Sequence, residues 1–376
     1  MMNNLILLSY DYPPNDGGIS RLTAEFASGL AAEGLAIEVC TLDGSAIREG
    51  VVRPELATVE LPRKKLWREL ALLRYLLSRP KKSKIITTVW NPEATLAWLL
   101  GRKNLYVLAH GNEVMQYPQG LTFRLKAQLR KKVLAAARCV ICNSRYTERL
   151  VRAIAPNAKT TVINPGVDIA RFSIGLKQNE AKERLGLPQH KSLLLSVSRI
   201  DDYKGHDVVL DALVALPVEQ RQRLHYVVAG KGSHLDALKR RASELGLEEC
   251  ISWLGFVSDE ILPLLYRAAD LFVLCTREDK AQRGVEGFGM VFLEAQAAGL
   301  AVVGTRAGGI PDAIQEGRGG WLIDQDNSRA FGKHLDMLLT KPEQVSEQGR
   351  LGLERARAEC SWRHYTLNLL SVLEKY

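Results

Sequence analysis

The chain is poor in cysteine and has no long apolar run, and each shortage removes a class of protein. Six cysteines are scattered over 376 residues, whereas disulfide frameworks crowd them into short secreted chains. No run of about 18 uncharged apolar residues exists to cross a membrane. Met1-Met-Asn-Asn passes straight into an apolar strand pattern instead of a charged leader with a cleavage site. The expectation is a cytoplasmic protein, at most membrane-associated on the cytoplasmic face. Internal repeats, low-complexity tracts, a G-x-G-x-x-G fingerprint and the paired carboxylates of a hydrolase are missing as well. Cys139-Val-Ile-Cys142 has CxxC spacing, but in a strand residues three apart point to opposite faces, so a buried strand is expected there and not a metal or redox site.

The net charge of +9 is unevenly distributed. Residues 1–170 hold 24 Lys and Arg against 14 Asp and Glu, and the remainder holds 27 against 28. The densest basic stretch is Arg63-Lys-Lys-Leu-Trp-Arg68, followed by Arg74, Arg79, Lys81, Lys82 and Lys84, with Leu66, Leu70, Leu73 and Leu77 at helical spacing. Such a helix either lies on an anionic membrane or a phosphate-bearing acceptor, or packs in the fold with a solvated basic face. The run Arg124-Leu-Lys-Ala-Gln-Leu-Arg-Lys-Lys132 carries the same two readings.

Short apolar runs separated by helical patterns recur along both halves. They fall at Leu5–Leu8, Ile37–Thr41, Ile85–Val89, Leu105–Ala109, Cys139–Cys142 and Thr161–Ile163, then at Ser192–Val197, His225–Ala229, Ile251–Trp253, Leu271–Leu274, Ala301–Val303 and Trp321–Ile323. Continuous apolar strands bounded by Gly or Pro belong to buried parallel sheets, so the fold class is α/β with two doubly wound Rossmann-like domains. The Pro- and Gly-bearing, charged stretch from Asn164-Pro-Gly-Val-Asp168 to about Lys191 is where the linker is expected. We therefore divide the chain into 1–168 and 169–359. Ligands of such sheets bind at the carboxyl ends of the strands, so two facing domains would share a central cleft.

The loops at those strand ends hold the chemistry. Glu286-Gly-Phe-Gly-Met-Val-Phe-Leu-Glu294 places two carboxylates around a glycine-bracketed turn and a helix start near Gly289. Helix-start amides suit a pyrophosphate, and acids beside it would repel phosphate but hold hydroxyls, which suggests a nucleotide sugar. Arg199 and Lys204 follow the strand Ser192–Val197, where they would stabilise a diphosphate leaving group; the bland reading is a charged surface loop. Gly17 and Gly18 end a Pro-stiffened loop after the first strand and would let phosphate approach the backbone. His110 ends the fourth strand and would donate to a sugar hydroxyl, or be structural. Gly230, within Gly230-Lys-Gly232, shares this ambiguity. Phe256 would stack on a base or pack in the core.

Taken together, Gly17-Gly18, His110-Gly111, Asn164-Pro-Gly-Val-Asp168, Arg199 with Lys204-Gly205, Gly230-Lys-Gly232 and Glu286-Gly-Phe-Gly with Glu294 stand in the order and approximate spacing of family 4 retaining glycosyltransferases. Nearly the whole chain resembles that family. The resemblance implies the GT-B architecture, with the last helix, Trp362 to Tyr376 within about 360–376, returning to the first domain. It implies that Arg199 and Lys204 bind the donor pyrophosphate, with Gly17 and Gly18 approaching it from the other domain. Glu294 would hold the ribose, and Glu286 the donor sugar beside the amides of Phe288 and Gly289. Met290 and Val291 would lie near the diphosphate, and His110 would contact the sugar. The implied reaction is metal-independent, cofactor-free hexosyl transfer with retention, from a UDP-sugar such as UDP-glucose to a glycan or lipid-linked acceptor in surface polysaccharide or glycolipid synthesis. GDP-mannose is the alternative donor.

One departure from the family pattern is the long basic loop Asp279-Lys-Ala-Gln-Arg-Gly-Val285, whose Arg283 would touch the acceptor or an acidic donor sugar, or be solvated. Asp324-Gln-Asp326 spells a D-x-D, but in a hydrophilic turn where a metal is not expected. The competing classes are a GT-B sugar-nucleotide epimerase or phosphorylase and a non-catalytic binding protein. Nucleic acid is not an expected partner.

Overall fold

The structure, a computed structural model, describes residues 5–15, 17–44, 56–115, 120–278 and 284–376. Arg283 and most of its loop lie outside the described residues. The chain forms two compact units, 1–166 with 362–376 and 167–361.

In the first unit, the described residues form a parallel seven-stranded sheet. Its strands are β1 (Leu5–Leu8), β2 (Ile37–Leu42), β3 (Ala57–Leu61), β4 (Lys84–Thr87), β5 (Leu105–Ala109), β6 (Cys139–Cys142) and β7 (Thr160–Val162), in the order β3-β2-β1-β4-β5-β6-β7. The strands β1, β5 and β6 are buried at every position because helices cover both faces, and the central β4 buries Ile85, Ile86 and Thr87. β3 has no continuous apolar run in the sequence, since this edge strand exposes Ala57 and Glu60 and pairs only with β2. Cys139 and Cys142 point into opposite cores, as period-2 geometry requires.

One face of this sheet is covered by the helices Gly18–Ala32 and Trp362–Lys375. They cross so closely that a Cβ on Gly29 would lie 2.2 Å from Thr366 Oγ1. Phe26 and Tyr365 stack with ring centroids 6.0 Å apart. The other face carries the helices Lys65–Ser78, Thr95–Leu99, Leu121–Ala136 and Arg145–Ile154. In Lys65–Ser78 the core-facing residues are Leu72, Tyr75 and Leu76, whereas Leu66, Leu70 and Leu77 are exposed. The helix has two apolar stripes, and periodicity alone does not say which one packs.

In the second unit, the described residues form a parallel six-stranded sheet of β8 (Ser192–Val197), β9 (Leu224–Ala229), β10 (Ile251–Gly255), β11 (Leu271–Leu274), β12 (Val302–Thr305) and β13 (Gly320–Ile323), in the order β10-β9-β8-β11-β12-β13. In both sheets the order reverses after the unit's first strand, leaving a crevice between β1 and β4 and another between β8 and β11. The stretch 169–187, expected as linker, is instead part of the second unit's core. Phe172 and Ala181 are buried there, and Gln178 and the buried Lys182 both bind Asp270 just ahead of β11. Its charged residues disguise an element held by a specific ion pair.

Candidate functional site

At the β8–β11 crevice, the chain leaves β8, passes Ser198 and Arg199, and turns through a 3₁₀ segment Asp202–Lys204 into the helix His206–Val214. The turn is made at Gly205, with φ +70°, where a Cβ would stand 1.9 Å from the Cys275 carbonyl oxygen. Only glycine allows that contact. Gly230 serves the same loop from behind, because a Cβ there would lie 1.8 Å from the Ser198 carbonyl. Lys231 O accepts from Ile200 N–H at 2.9 Å, so the β9–β10 side fixes the loop's backbone.

These constraints bring Lys204 to Glu286. Lys204 Nζ donates to Glu286 Oε2 at 2.6 Å, with both side chains largely buried. Burial acts to lower the Lys204 pKa, but the Glu286 carboxylate together with Tyr203 offsets it, so the ammonium is held above its ordinary value. Arg199 is different: its side chain is 70% exposed, paired with Asp201 at 3.2 Å and bonded to Tyr203 Oη at 3.1 Å.

Glu286 is positioned by the turn after β12. Its carbonyl accepts from Gly309 N–H at 2.8 Å, and a Cβ on Gly308 would lie 2.3 Å from that same oxygen. Phe288 is buried, and Gly289 at φ +94° caps the helix Met290–Ala297, on whose first turn Met290 and Val291 are half-buried. Glu294 is 5% exposed and accepts from Tyr266 Oη at 2.8 Å. Phe256 is 63% exposed, which rules out core packing, with Lys231 Nζ 5.9 Å from its ring centroid.

Sequence reading passed over the groups that brace this loop. Ser198 Oγ meets His206 Nε2 at 3.0 Å, His206 Nδ1 meets Tyr226 Oη at 2.8 Å, and Ser196 Oγ joins Tyr226 Oη to the Val273 carbonyl. Burial, reinforced by Lys204, pushes His206 down to about 3, so it is neutral. Arg277 ties the Asp202 turn, the start of the next helix and the D-x-D turn together, contacting Asp207 at 2.7 Å and Asp326 at 2.7 Å. The D-x-D carboxylates thus face arginines, and among the described residues no group of three His, Cys, Asp or Glu converges. A buried histidine and a bridging arginine leave no mark in sequence apart from their partners.

In the first unit, the carboxyl end of the sheet carries Gly17, Gly18 and His110. Gly17 has an extended backbone, and a Cβ there would meet nothing nearer than Asp11 Oδ2 at 3.8 Å. Packing within the unit therefore does not require glycine. Gly18 opens the helix Gly18–Ala32 and is exposed. His110 Nε2–H donates to the Thr88 carbonyl at 2.9 Å. Glu113 Oε1 accepts from the His110 backbone N–H at 2.6 Å. Asp11, half-buried in the Gly17 loop, and the fully buried Glu93 also lie at this end, and both have pKa values raised chiefly by burial.

Comparison with known proteins bears on the family and the fold. Residues 16–171 match the family described as Glycosyltransferase Family 4, and residues 177–353 match Glycosyl transferases group 1. The chain is 29% identical to a GDP-mannose-dependent alpha-(1-6)-phosphatidylinositol monomannoside mannosyltransferase of Mycolicibacterium smegmatis, over 98% of each chain. It is 34% identical to D-inositol 3-phosphate glycosyltransferase 2 of Catenulispora acidiphila, over 61% of this chain and 53% of that one. Anabaena HepE in complex with UDP has the same fold, with TM-score 0.81 and 18% identity over 100% of both chains. Sucrose-phosphate synthase of Thermosynechococcus elongatus follows at 0.79 and 21%, over 99% of this chain and 98% of that one. With two doubly wound units and both family matches in register, the chain belongs to the family 4 glycosyltransferases, group 1, of the GT-B fold.

Proposed function

We propose that this glycosyltransferase moves a mannosyl unit from GDP-mannose to a lipid-linked acceptor, with retention of configuration and without a metal. The observation that carries the transfer reading is the Lys204–Glu286 pair. It supplies a buried cation for a diphosphate and a carboxylate for hexose hydroxyls in one place. The choice of mannose is supported by the relatives that match over full length, which are named as GDP-mannose-dependent enzymes acting on a phosphatidylinositol mannoside.

In this reading Lys204 and Arg199 neutralise charge on the leaving diphosphate as the C1–O bond to phosphate breaks. The acceptor oxygen bonds C1 from the same face, and its proton passes to the departing phosphate oxygen. No protein side chain is consumed as a nucleophile. Glu286 and the amides of Phe288 and Gly289 hold the hexose, with Met290 and Val291 beside the diphosphate. Glu294 accepts from the ribose, oriented by Tyr266, and exposed Phe256 offers a face to the base. Gly230 acts through the loop it supports. In the first unit, His110 is read as a partner of hydroxyls, and Gly17 with Gly18 as backbone contacts for phosphate.

The test is a thermal-shift and transfer assay with GDP-mannose and UDP-glucose in parallel, repeated in EDTA. Selective stabilisation by GDP-mannose, EDTA-insensitive transfer and an α-linked product are expected. Selective stabilisation by UDP-glucose would move the donor to the uridine sugar expected from the sequence. Response to neither would overturn the reading.

A further inference from the structure

We propose that the helical layer formed by Lys65–Ser78, Thr95–Leu99 and Leu121–Ala136 is a docking surface for an anionic lipid bilayer. The inference deepens the proposed function by naming where a lipid-linked acceptor is met.

Three observations carry it. The first is apolar exposure. Of the twelve exposed large apolar side chains among the described residues, seven lie on these three helices, including Leu66, Trp67, Leu70, Leu99 and Leu125. The helices are consecutive in one layer and pack on one another in sequence order. Clustered exposure of this kind marks an interaction surface, whereas scattered single residues do not.

The second is charge. The helix Leu121–Ala136 contains no acid and five Lys and Arg, of which Arg130 is buried on the Met115 carbonyl and the other four are left for the surface. Exposed Lys64, Lys65 and Arg74 flank the apolar residues of Lys65–Ser78, whose Glu69 is engaged by Arg68 at 2.9 Å and by Tyr10 at 3.0 Å. The opposite face of the same sheet is ordinary, with Arg21 and Glu25 on one helix and Arg363, Glu374 and Lys375 on the other.

The third is placement. Both basic helices lack an acid in the first turn and put Lys or Arg there instead. The positive end of a helix disfavours cations, so fold stability does not explain them. The neighbouring helix Arg145–Ile154 also starts on a basic residue, but it answers Arg145 with a Ser144 cap and with Glu148 in the same turn, and places Arg152 in its last. Helices of parallel βα units begin at the carboxyl end of the sheet, so these first turns stand at the rim that carries His110 and Gly17.

An anionic bilayer answers all three, because Trp and Leu enter the headgroup boundary while Lys and Arg reach lipid phosphates. A nucleic acid would use the cations but not the aliphatic leucines. A second copy would set two basic faces against each other.

The experiment is flotation of the full chain, without donor or acceptor, with vesicles of phosphatidylcholine alone and of phosphatidylcholine with phosphatidylglycerol in equal parts. The chain is expected to float only with the anionic vesicles, and to be released by salt. Lys64→Glu with Lys65→Glu, and separately Trp67→Ser with Leu70→Ser, are each expected to reduce binding at least about tenfold. Leu367→Ser, an exposed leucine on the opposite layer, is expected to change nothing. Circular dichroism of each variant reports its folding. Absent binding, equal binding to both vesicles, retention in both double variants, or a preference for an RNA oligonucleotide would overturn the proposal. Transfer activity without vesicle binding would defeat this inference alone; vesicle binding without transfer would defeat the functional reading alone.

Discussion

Lys204 Nζ and Glu286 Oε2 stand 2.6 Å apart although 82 residues separate them in sequence. The crevice at β8–β11 therefore holds a cation already neutralised by a carboxylate. In the proposed reaction, a diphosphate arriving there would replace Glu286 as the partner of Lys204 and free the Glu286 carboxylate for hydroxyls.

Removal of either member should separate function from folding. Lys204→Ala is expected to lower kcat/KM by about 100-fold or more and to cost about 1–3 kcal/mol of stability, because Glu286 is left without its cation. Glu286→Gln keeps the shape and should reduce turnover with little loss of stability. In the double variant the two losses should be less than additive. Steady-state kinetics and urea unfolding of the four proteins measure this; near-normal kcat/KM in a folded Lys204→Ala protein would sink the assignment.

Two glycines should behave oppositely. Gly205→Ala drives a Cβ into the Cys275 carbonyl at a left-handed backbone position and should destabilise the protein by about 2 kcal/mol or more. Gly17→Ala enters open space on extended backbone, so the stability change should stay within about 0.5 kcal/mol. If phosphate approaches the Gly17 backbone, turnover should still fall about tenfold or more. Unchanged turnover in Gly17→Ala would remove that glycine from the donor site.

Glu93 should make the first unit sensitive to pH. Burial pushes its carboxyl up to about 7, and its Oε2 has no hydrogen-bond partner among the described residues. The folded state holds a proton that the unfolded chain releases near pH 4.5, so this contribution is fully present below that value and is lost as pH rises to about 7. The difference is about 3 kcal/mol. Glu93→Gln should remove it, with melting temperatures close to wild type near about pH 5 and higher than wild type near about pH 8. Calorimetry across that range decides the matter; parallel curves for the two proteins would refute it.

Much of the framework was legible because it rests on local chemistry. Strands such as Leu5–Leu8 and Leu271–Leu274 are buried on both faces and so must be apolar throughout, which makes them visible in one dimension. β3 was not, since an edge strand needs only one packed face. The loops with Gly17, Arg199, Lys204, Glu286 and Glu294 were legible as strand-end loops, because tight turns and helix starts restrict residue type.

What the chain's order of residues determined by itself was the α/β class, the strand-end loops and the glycosyltransferase family. Tertiary structure alone decided which charge meets which: Lys204 with Glu286, Tyr266 with Glu294, Arg277 with Asp207 and Asp326. It also decided that Leu72 and Leu76 face the core while Leu66, Trp67 and Leu70 face outward. The physical reason is range. Propensity, turn chemistry and apolar runs act between neighbours in the chain, whereas ion pairing, desolvation and the choice between two apolar stripes depend on partners that only folding brings within a few ångströms.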